Sequence, residues 1–453
     1  MTWPLAVFSI LLMPISPDAG APPNVLLIAV DDLNAWIEPL GGHPQVKTPN
    51  LARLARLGVT FTNAFSPAPL CTPSRAAALT GMYPRSMAMS GQAGEWSLYP
   101  GVPTLPRFFK DHGYYVAGAG KIYHERHRRT EDFTEYFAEH QHDPEPTKRD
   151  GLDPVFFAPL DAPDEAMRDY DSLRWILSRL QKKHDRPFFI AWGLHKPHLP
   201  WQVPRAYFDL YPVGGVTVPE TLADDLSDVP SAGRALAGEG ELHARIVAAG
   251  RWKAAIQGYL AAVSFMDAMV GRLLDALLAG PHAGNTVVVF WSDNGWHLGE
   301  KQTWRKFTLW NEATHVPLII AAPGVAKAGA RCVRAVDHTA LYRTLVELAG
   351  LRVPAHVEGA SLTNLLRDPS ASGARPAIMT YLGHDSIRSE KWRYTRYADG
   401  GEELYDEEHD PREWHNLADR RDLGEIKRSL AKWIRPPRSA ASPSRPGPAS
   451  DEE

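Results

Sequence analysis

Residues 24–32 read Asn-Val-Leu-Leu-Ile-Ala-Val-Asp-Asp, an unbroken apolar run that ends in two adjacent aspartates. A run of this length without alternation is typical of a strand buried on both faces, as in a parallel sheet covered by helices. Similar runs occupy residues 115–119, 187–193 and 286–291, and polar residues follow each of them. Because ligands bind beyond the carboxyl ends of strands in open α/β sheets, the four runs predict one shared crevice.

Helical patterns lie between these predicted strands. Apolar residues recur every three or four positions over 48–57, 253–278 and 339–349, and a further strand is predicted at 316–321. Alternating strands and helices predict an α/β fold with a doubly wound, mostly parallel sheet. Two segments rich in Pro, Gly, Asp and Ala, 136–170 and 210–250, are predicted to be long surface excursions.

The pattern changes after about residue 366. Short strands are predicted at 377–382, 386–388, 392–396 and 403–406, which indicates a smaller antiparallel α+β domain. The predicted organisation is a signal peptide over 1–21, a main domain over 22–366, a small carboxy-terminal domain over 367–434 and a disordered tail over 435–453.

The charge and the apolar runs of the chain limit the partners and the locations that we expect for it. The 453 residues carry a formal net charge of −4, which does not favour a nucleic acid or an anionic membrane as the partner. Residues 5–15 form an apolar run of signal-peptide length, so we expect export to the periplasm or the medium. No other stretch reaches the length of a membrane span, and we expect no integral membrane segment. Of the two cysteines, we interpret Cys332 as a small buried hydrophobe or an incidental thiol.

The other cysteine lies in the sequence Cys71-Thr-Pro-Ser-Arg75. Residues 74–80 have helix-forming composition, and Pro73 suits the first turn of a helix. The side chain of Cys71 is therefore predicted to lie at a helix amino terminus, where backbone N–H groups favour an anion. Arg75, one turn further on, can brace that anion with its planar set of donors.

The Cys-x-Pro-x-Arg frame, followed by Leu-Thr-Gly-Met-Tyr-Pro at 79–84, resembles the signature of the type I, formylglycine-dependent sulfatases. The resemblance covers nearly the whole chain and is closest to the iduronate-2-sulfatase-like branch. It implies an alkaline phosphatase-like fold, a catalytic main domain and a maturation enzyme that oxidises Cys71 to formylglycine. The hydrate of that aldehyde would supply the oxygen that attacks sulfur. The substrate would be a sulfated carbohydrate, as in glycosaminoglycan degradation, or another small sulfate ester.

A metal site is predicted at the ends of two strands. Asp31 and Asp32 would repel one another without a cation, and Asp293-Asn294 follow the fourth apolar run. With an oxygen of the modified Cys71, these residues form a set of hard ligands that suits Ca²⁺, with Mg²⁺ as the alternative. The resemblance to sulfatases implies Ca²⁺.

Four further residues receive catalytic roles from the resemblance. In Gly120-Lys121-Ile-Tyr-His124, Lys121 would hold the formylglycine hydrate and His124 would act as a base. The spacing does not place both side chains on one face of a straight strand, so a turn must begin here. His195 would protonate the departing alcohol, and Lys306 would contact the sulfate.

Two histidines are predicted to line the substrate pocket. His198 follows His195 in the sequence Gly-Leu-His-Lys-Pro-His-Leu-Pro, the strongest marker of the sub-family, and His297 follows Asp293-Asn294-Gly-Trp.

Several alternatives stay open. A phosphonate or phosphodiester hydrolase shares the same core and also uses formylglycine, and a glycan-binding relative without catalysis belongs to a different class. Choline sulfate and algal sulfated sugars are alternative substrates. Asn294 follows the general sulfatase pattern, whereas the lysosomal iduronate enzymes have histidine there.

Overall fold

The computed structural model describes residues 22–89, 101–124, 128–138, 142–146, 148, 150–373 and 375–435. The predicted signal peptide lies outside the described residues, as does the predicted tail beyond residue 435. The domain boundaries remain predictions. In the described part of the chain, no helix combines the length and the apolar character needed to cross a bilayer.

The strands are β1 Asn24–Val30, β2 Val59–Phe65, β3 Tyr115–Gly120, β4 Glu135–Phe137, β5 Asp150–Leu152, β6 Val155–Leu160, β7 Phe188–Gly193, β8 Trp201–Pro204, β9 Thr286–Ser292, β10 His297–Leu298, β11 Trp304–Arg305, β12 Leu318–Ala321, β13 Ala330–Asp337, β14 Ala377–Tyr381, β15 His384–Arg388, β16 Trp392–Arg396 and β17 Glu402–Asp406. The α-helices are α1 Pro49–Leu57, α2 Cys71–Thr80, α3 Leu105–Asp111, α4 Arg168–Leu180, α5 Arg205–Phe208, α6 Ser231–Leu236, α7 Glu241–Ala248, α8 Trp252–Ala279, α9 Asn311–Thr314, α10 Ala340–Leu348, α11 Thr363–Arg367 and α12 Gly424–Ala431.

Eight strands form the main sheet in the order β13-β2-β12-β9-β1-β7-β3-β4. The central strand β1 is parallel to β9 on one side and to β7 on the other, whereas β12 is antiparallel to both of its neighbours. Leu26, Ile28 and Val30 pack into the core on one face, and the residues between them pack into the core on the other. Burial on both faces explains the unbroken apolar run. The predicted doubly wound, mostly parallel sheet is confirmed.

The register of β1 places the ends of three strands at one edge of the sheet. Val30 pairs with Ser292 of β9, and Ala29 pairs with Gly193 of β7. The residues that follow each strand therefore lie next to one another. The sequence predicted this arrangement from the polar residues that follow each apolar run.

The helix that carries Cys71 begins at that residue, three positions earlier than its composition indicated, and Pro73 lies in its first turn. It ends at Thr80, and the next residue, Gly81, has a φ of +69°, a left-handed conformation common after the last turn of a helix. Every residue of the helix is buried. The amino terminus of the helix and its thiol therefore lie inside the protein.

The prediction of long surface excursions is wrong for part of both segments. Residues 150–160 form the hairpin β5-β6, and β6 pairs with β8. Phe157 of this hairpin is only 3% exposed and belongs to the main core. Strand β6 is an apolar run of just six residues that contains Pro159, and it is too short to stand out in a segment rich in Pro and Asp. In the second segment, helix α7 buries Ile246.

The carboxy-terminal domain contains the four-stranded antiparallel sheet β14-β15-β16-β17, as predicted, with α12 after it. The buried Arg393 of β16 connects this sheet to the main domain. Its guanidinium donates to the carbonyl of Leu309 and to Oδ1 of Asn311 at 2.6 Å each, and it pairs with Glu407 and Glu413. Cation and carboxylates thus satisfy one another at the junction.

Replacing Arg393 with alanine should therefore destabilise the protein by roughly 3–5 kcal/mol, because the buried Glu413 would lose its cation and Glu407 would keep only its ion pair with Arg388. Thermal unfolding measures the effect. Arg396 lies on the same strand but is exposed, and Arg396→Ala is the matched control with little expected change. Equal stability of the two variants would contradict this role for Arg393.

Candidate active site

Three carboxylates and the thiol of Cys71 converge at the edge of the sheet where β1 and β9 end. One ligand atom from each of Asp31, Asp32, Asp293 and Cys71 lies within 4.8 Å of the others. The three aspartates are completely buried, and Cys71 is 4% exposed. Stretches more than 200 residues apart therefore meet because their strands pair in register.

Three cations balance the carboxylates, namely Arg75, Lys121 and Lys306. The Arg75 guanidinium donates from Nε to Asp293 Oδ2 at 2.7 Å and lies 3.3 Å from Asp31. Nζ of Lys121 lies 2.5 Å from Oδ2 of Asp31. Burial favours the neutral acid, but Lys121, His198 and Arg75 hold the pKa of Asp31 well below its ordinary value. Asp31 is therefore a carboxylate.

Asp293 differs from Asp31 because fewer positive charges act on it. Burial raises the pKa of Asp293 to about 7, and Arg75 opposes that shift only in part. A divalent cation beside Asp293 would favour its charged form.

The thiol of Cys71 is not poised to react as a thiolate. Burial and the negative charge of Asp31 raise the pKa of Cys71 well above its usual value, and Lys306 opposes them. Nζ of Lys306 donates to the sulfur at 2.9 Å and to Oδ1 of Asp32 at 2.6 Å. Since the thiolate is the reactive form of cysteine, the environment argues against direct thiol catalysis.

The cluster fits a hard divalent cation. Asn294 donates from its amide nitrogen to Oδ1 of Asp32 at 2.7 Å and to the Gly295 carbonyl. Its side-chain oxygen is buried and has no hydrogen-bond partner among the described residues. An unpaired buried oxygen beside several carboxylates is explained by a cation that accepts oxygen ligands. Asp31, Asp32, Asp293 and Asn294 could hold it.

The turn demanded by the spacing of Lys121 and His124 is present. Strand β3 ends at Gly120, whose φ of +74° redirects the chain and allows Lys121 to reach Asp31. His124 follows the turn and is half-buried. Burial, reinforced by the charge of Lys121, lowers the pKa of His124 to about 4. The ring is thus neutral near pH 7, and it lies close enough to Lys121 and Asp31 for their charges to change its pKa.

The two histidines after β7 occupy different environments. Nε2 of His198 lies 3.6 Å from Oδ2 of Asp32, and its Nδ1 contacts the Leu199 carbonyl at 2.7 Å. His195 instead interacts with Asp169, which accepts from its backbone N–H at 2.8 Å and lies 3.1 Å from Nδ1. Asp169 also accepts the N–H of Lys196. Of these two histidines, His198 is the one whose contacts place it beside the carboxylates of the cluster.

His297, predicted to line the pocket, hydrogen-bonds to a neighbouring segment of the chain. Its ring is completely buried, with Nε2 2.7 Å from the Thr308 hydroxyl and Nδ1 3.9 Å from Glu312. These contacts lie inside the protein and connect β10 to the segment after β11. They show that His297 packs this segment, and its role as a pocket residue stays a prediction.

Lys306 lies between two residues with unusual backbone conformations. Arg305 and Phe307 have φ values of +76° and +78°, which are rare outside glycine. The N–H of Phe307 donates to the carbonyl of Pro69, close to Cys71. The strained tripeptide thereby brings Lys306 to the thiol, and strain of this kind clusters at functional sites.

Comparisons with known proteins show to which family this chain belongs. The sulfatase family model matches residues 23–351, and the model for the carboxy-terminal part of N-sulphoglucosamine sulphohydrolase matches residues 299–439. A sulfatase of Formosa agariphila is 37% identical over 87% of this chain and 83% of its own length.

The chain belongs to the sulfatase family.

As a sulfatase, it is a sulfuric ester hydrolase. Human iduronate 2-sulfatase is 30% identical over 73% of this chain and 70% of its own length. The crystal structure of the phosphonate monoester hydrolase of Agrobacterium radiobacter has a TM-score of 0.75 at 21% identity and covers 90% of this chain and 94% of its own. That likeness shows the shared fold alone.

The sequence did not identify Asp169 and Tyr259, which hydrogen-bond to the backbone of the loops of the sulfatase site. Asp169 lies in a segment predicted to be a surface excursion, and Tyr259 lies on a helix whose face is otherwise apolar. One signal was available for Tyr259, since a buried tyrosine hydroxyl requires a hydrogen-bond partner. The sequence did not reveal which partner that is.

Proposed function

We propose that this sulfatase hydrolyses sulfate esters of carbohydrates with a formylglycine derived from Cys71 and a bound divalent cation, Ca²⁺ in the first instance. The observation that carries the proposal is the buried cluster of three carboxylates and Cys71 at the start of α2. The hydrated aldehyde would supply one hydroxyl as the nucleophile and a second whose deprotonation releases sulfate. The cation would supply Lewis acidity toward a sulfate oxygen.

The chain's own residues bind and orient the reacting groups. Lys306 donates toward position 71 and Asp32, so a sulfate held there would place an oxygen near its ammonium. Lys121 and Arg75 lie on the other side, against Asp31. Fixed cations of this kind stabilise charge that develops on sulfuryl oxygens without reorganising. His124 would accept the proton that accompanies release of sulfate.

His198 is the better candidate to protonate the leaving alcohol. Its Nε2 faces Asp32, whereas the contacts of His195 hold the loop between β7 and β8 to Asp169. Burial lowers the pKa of His198 to about 4, and the negative charge of a bound sulfate ester would favour its protonated form. We therefore propose His198 as the acid and His195 as a positioning residue, a change from the role predicted by resemblance.

Replacing His198 with asparagine should lower kcat for an alkyl sulfate by roughly 10²- to 10⁴-fold, because an alkoxide leaves poorly without a proton. The loss should be much smaller for 4-nitrophenyl sulfate, whose phenolate leaves readily. His195→Asn is the matched control, since its amide can still contact Asp169, and we expect a small loss with both esters. A leaving-group-dependent loss in the His195 variant and none in the His198 variant would reverse the assignment.

The residues beside Lys306 favour an anionic sugar. The Arg305 guanidinium lies 4.9 Å from the centre of the Phe307 ring, and the rings of Phe307 and Tyr381 are 6.3 Å apart. A cation next to two aromatic rings suits the carboxylate and the apolar face of a sulfated uronic acid. The same cation would repel the quaternary ammonium group of choline sulfate.

The experiment that tests the proposal has two parts. Mass spectrometry of the tryptic peptide of residues 57–75 should find an aldehyde at position 71 in active protein. Hydrolysis of 4-nitrophenyl sulfate, a sulfated uronic acid, choline sulfate and bis-(4-nitrophenyl) phosphate should then rank the sulfate esters above the phosphate diester. An unmodified thiol in fully active protein, or preference for the diester, would contradict the proposal.

A further inference from the structure

The backbone that carries Asp32 has an unusual conformation. Asp32 has a φ of +58°, in the left-handed region that few residues other than glycine adopt. Such a conformation persists only where surrounding contacts hold it. The direction of the Asp32 carboxylate, and so the geometry of the cluster, depends on those contacts.

One side chain holds the peptide groups on both sides of the residue after Asp32. The hydroxyl of Tyr259, from helix α8, donates to the Asp32 carbonyl at 2.9 Å and accepts the Asn34 N–H at 3.0 Å. Tyr259 is completely buried, and the edges of Trp36 and Trp201 pack against its ring at 5.8 Å and 5.3 Å between centres. The hydroxyl is thereby fixed in place.

Two residues that contact Tyr259 also donate hydrogen bonds to the other two loops of the site. Asn34 donates from its side-chain nitrogen to the carbonyl of Trp296 at 2.9 Å, two residues beyond Asn294. Trp201 donates from Nε1 to the carbonyl of Pro197 at 2.7 Å, next to His198. Tyr259, Asn34 and Trp201 thus connect the loops after β1, β7 and β9 to one another.

We propose that Tyr259, together with Asn34, is a positioning residue for the cation site. This inference rests on the cation that the proposed function assigns to the cluster. Neither side chain is among the carboxylates and amide that would bind the cation. Tyr259 acts on the backbone of Asp32, and Asn34 joins that backbone to the loop of Asn294. Groups that orient metal ligands in this way contribute to metal affinity.

The test is the affinity of the full-length protein for Ca²⁺ after chelator treatment, measured by competition with a fluorescent Ca²⁺ indicator. Tyr259→Phe keeps the ring and its packing but leaves the Asp32 carbonyl and the Asn34 N–H without their partner. We expect Ca²⁺ to bind roughly 10- to 100-fold more weakly. The affinity is read without any assay of turnover.

Tyr211 offers a matched control. Its hydroxyl is also bound by a backbone N–H, that of Lys47 at 2.9 Å, and contacts the Ser264 hydroxyl at 2.6 Å. Like Tyr259 it is buried, and it contacts Ser264 of helix α8, but its hydrogen bonds within the described residues do not involve the loops of the site. Tyr211→Phe should lower the melting temperature as Tyr259→Phe does and leave Ca²⁺ affinity unchanged.

Each outcome decides between the possibilities. Wild-type affinity in Tyr259→Phe, or an equal loss in the two tyrosine variants, would overturn the positioning role. If Tyr259→Phe does not fold, Asn34→Ala decides, since it removes the link to Trp296. Weaker Ca²⁺ binding in that variant supports the role, and unchanged binding overturns it. Failure of the wild-type protein to bind Ca²⁺ would instead overturn the proposed cation site.

Discussion

Replacing Cys71 with serine is expected to abolish repeated turnover while the protein still folds. Loss of the nucleophile costs another covalent hydrolase on the order of 10⁶-fold in kcat, and we expect a loss of similar size. Serine is close in size to cysteine, and the Cys71 side chain lies at the start of α2, where it contacts Asp31 and Lys306. The fold should therefore tolerate the change.

The serine variant should still be able to react once. Its hydroxyl oxygen can attack sulfur, the ester S–O bond breaks, and the alcohol leaves with a proton. The sulfate then stays on the serine, because that residue has no second hydroxyl through which to expel it. A burst of at most one equivalent of alcohol, measured by rapid mixing with 4-nitrophenyl sulfate, would show this.

Cys332→Ser is the control, since Cys332 is buried on β13 away from the cluster. It should keep wild-type turnover apart from any loss of stability. Steady multiple turnovers by purified Cys71→Ser protein would exclude the formylglycine chemistry.

Removal of divalent cations is expected to have the second largest effect. A chelator should lower activity about a thousandfold or more, since a metal supplies several kcal/mol of charge stabilisation in hydrolases of this type. The fold should survive, because Arg75, Lys121 and Lys306 still balance the three aspartates. Added Ca²⁺ should restore activity.

Calcium should also raise the thermal stability of the wild-type protein. A ligand at 100 times its dissociation constant adds about 2.7 kcal/mol to the free energy of unfolding. Asp31→Asn should remove both the rescue and the stabilisation. The exposed group of Asp406, Glu408 and His409 supplies a control, and Asp406→Asn should leave both unchanged. Full activity after exhaustive chelation, confirmed by elemental analysis, would contradict a catalytic cation.

The sequence by itself determined the local chemistry of the site. The apolar run 24–30 predicted a strand covered on both faces, and the aspartates after it were expected to emerge at the sheet edge. The frame around Cys71 indicated both a helix amino terminus and the family, and helix α2 begins at that residue. These inferences depend on residues close together in the chain, so pattern and spacing are sufficient for them.

Tertiary structure alone decided which side chains meet. His195 and His198 are three positions apart and equally polar, yet Asp169 engages the first and Asp32 lies beside the second. The role of Tyr259 depends on a hydroxyl that contacts residues 225 and 227 positions away. Such contacts depend on strand register and helix rotation, because a shift of one residue turns a side chain to the opposite face. No local pattern in the sequence encodes that choice.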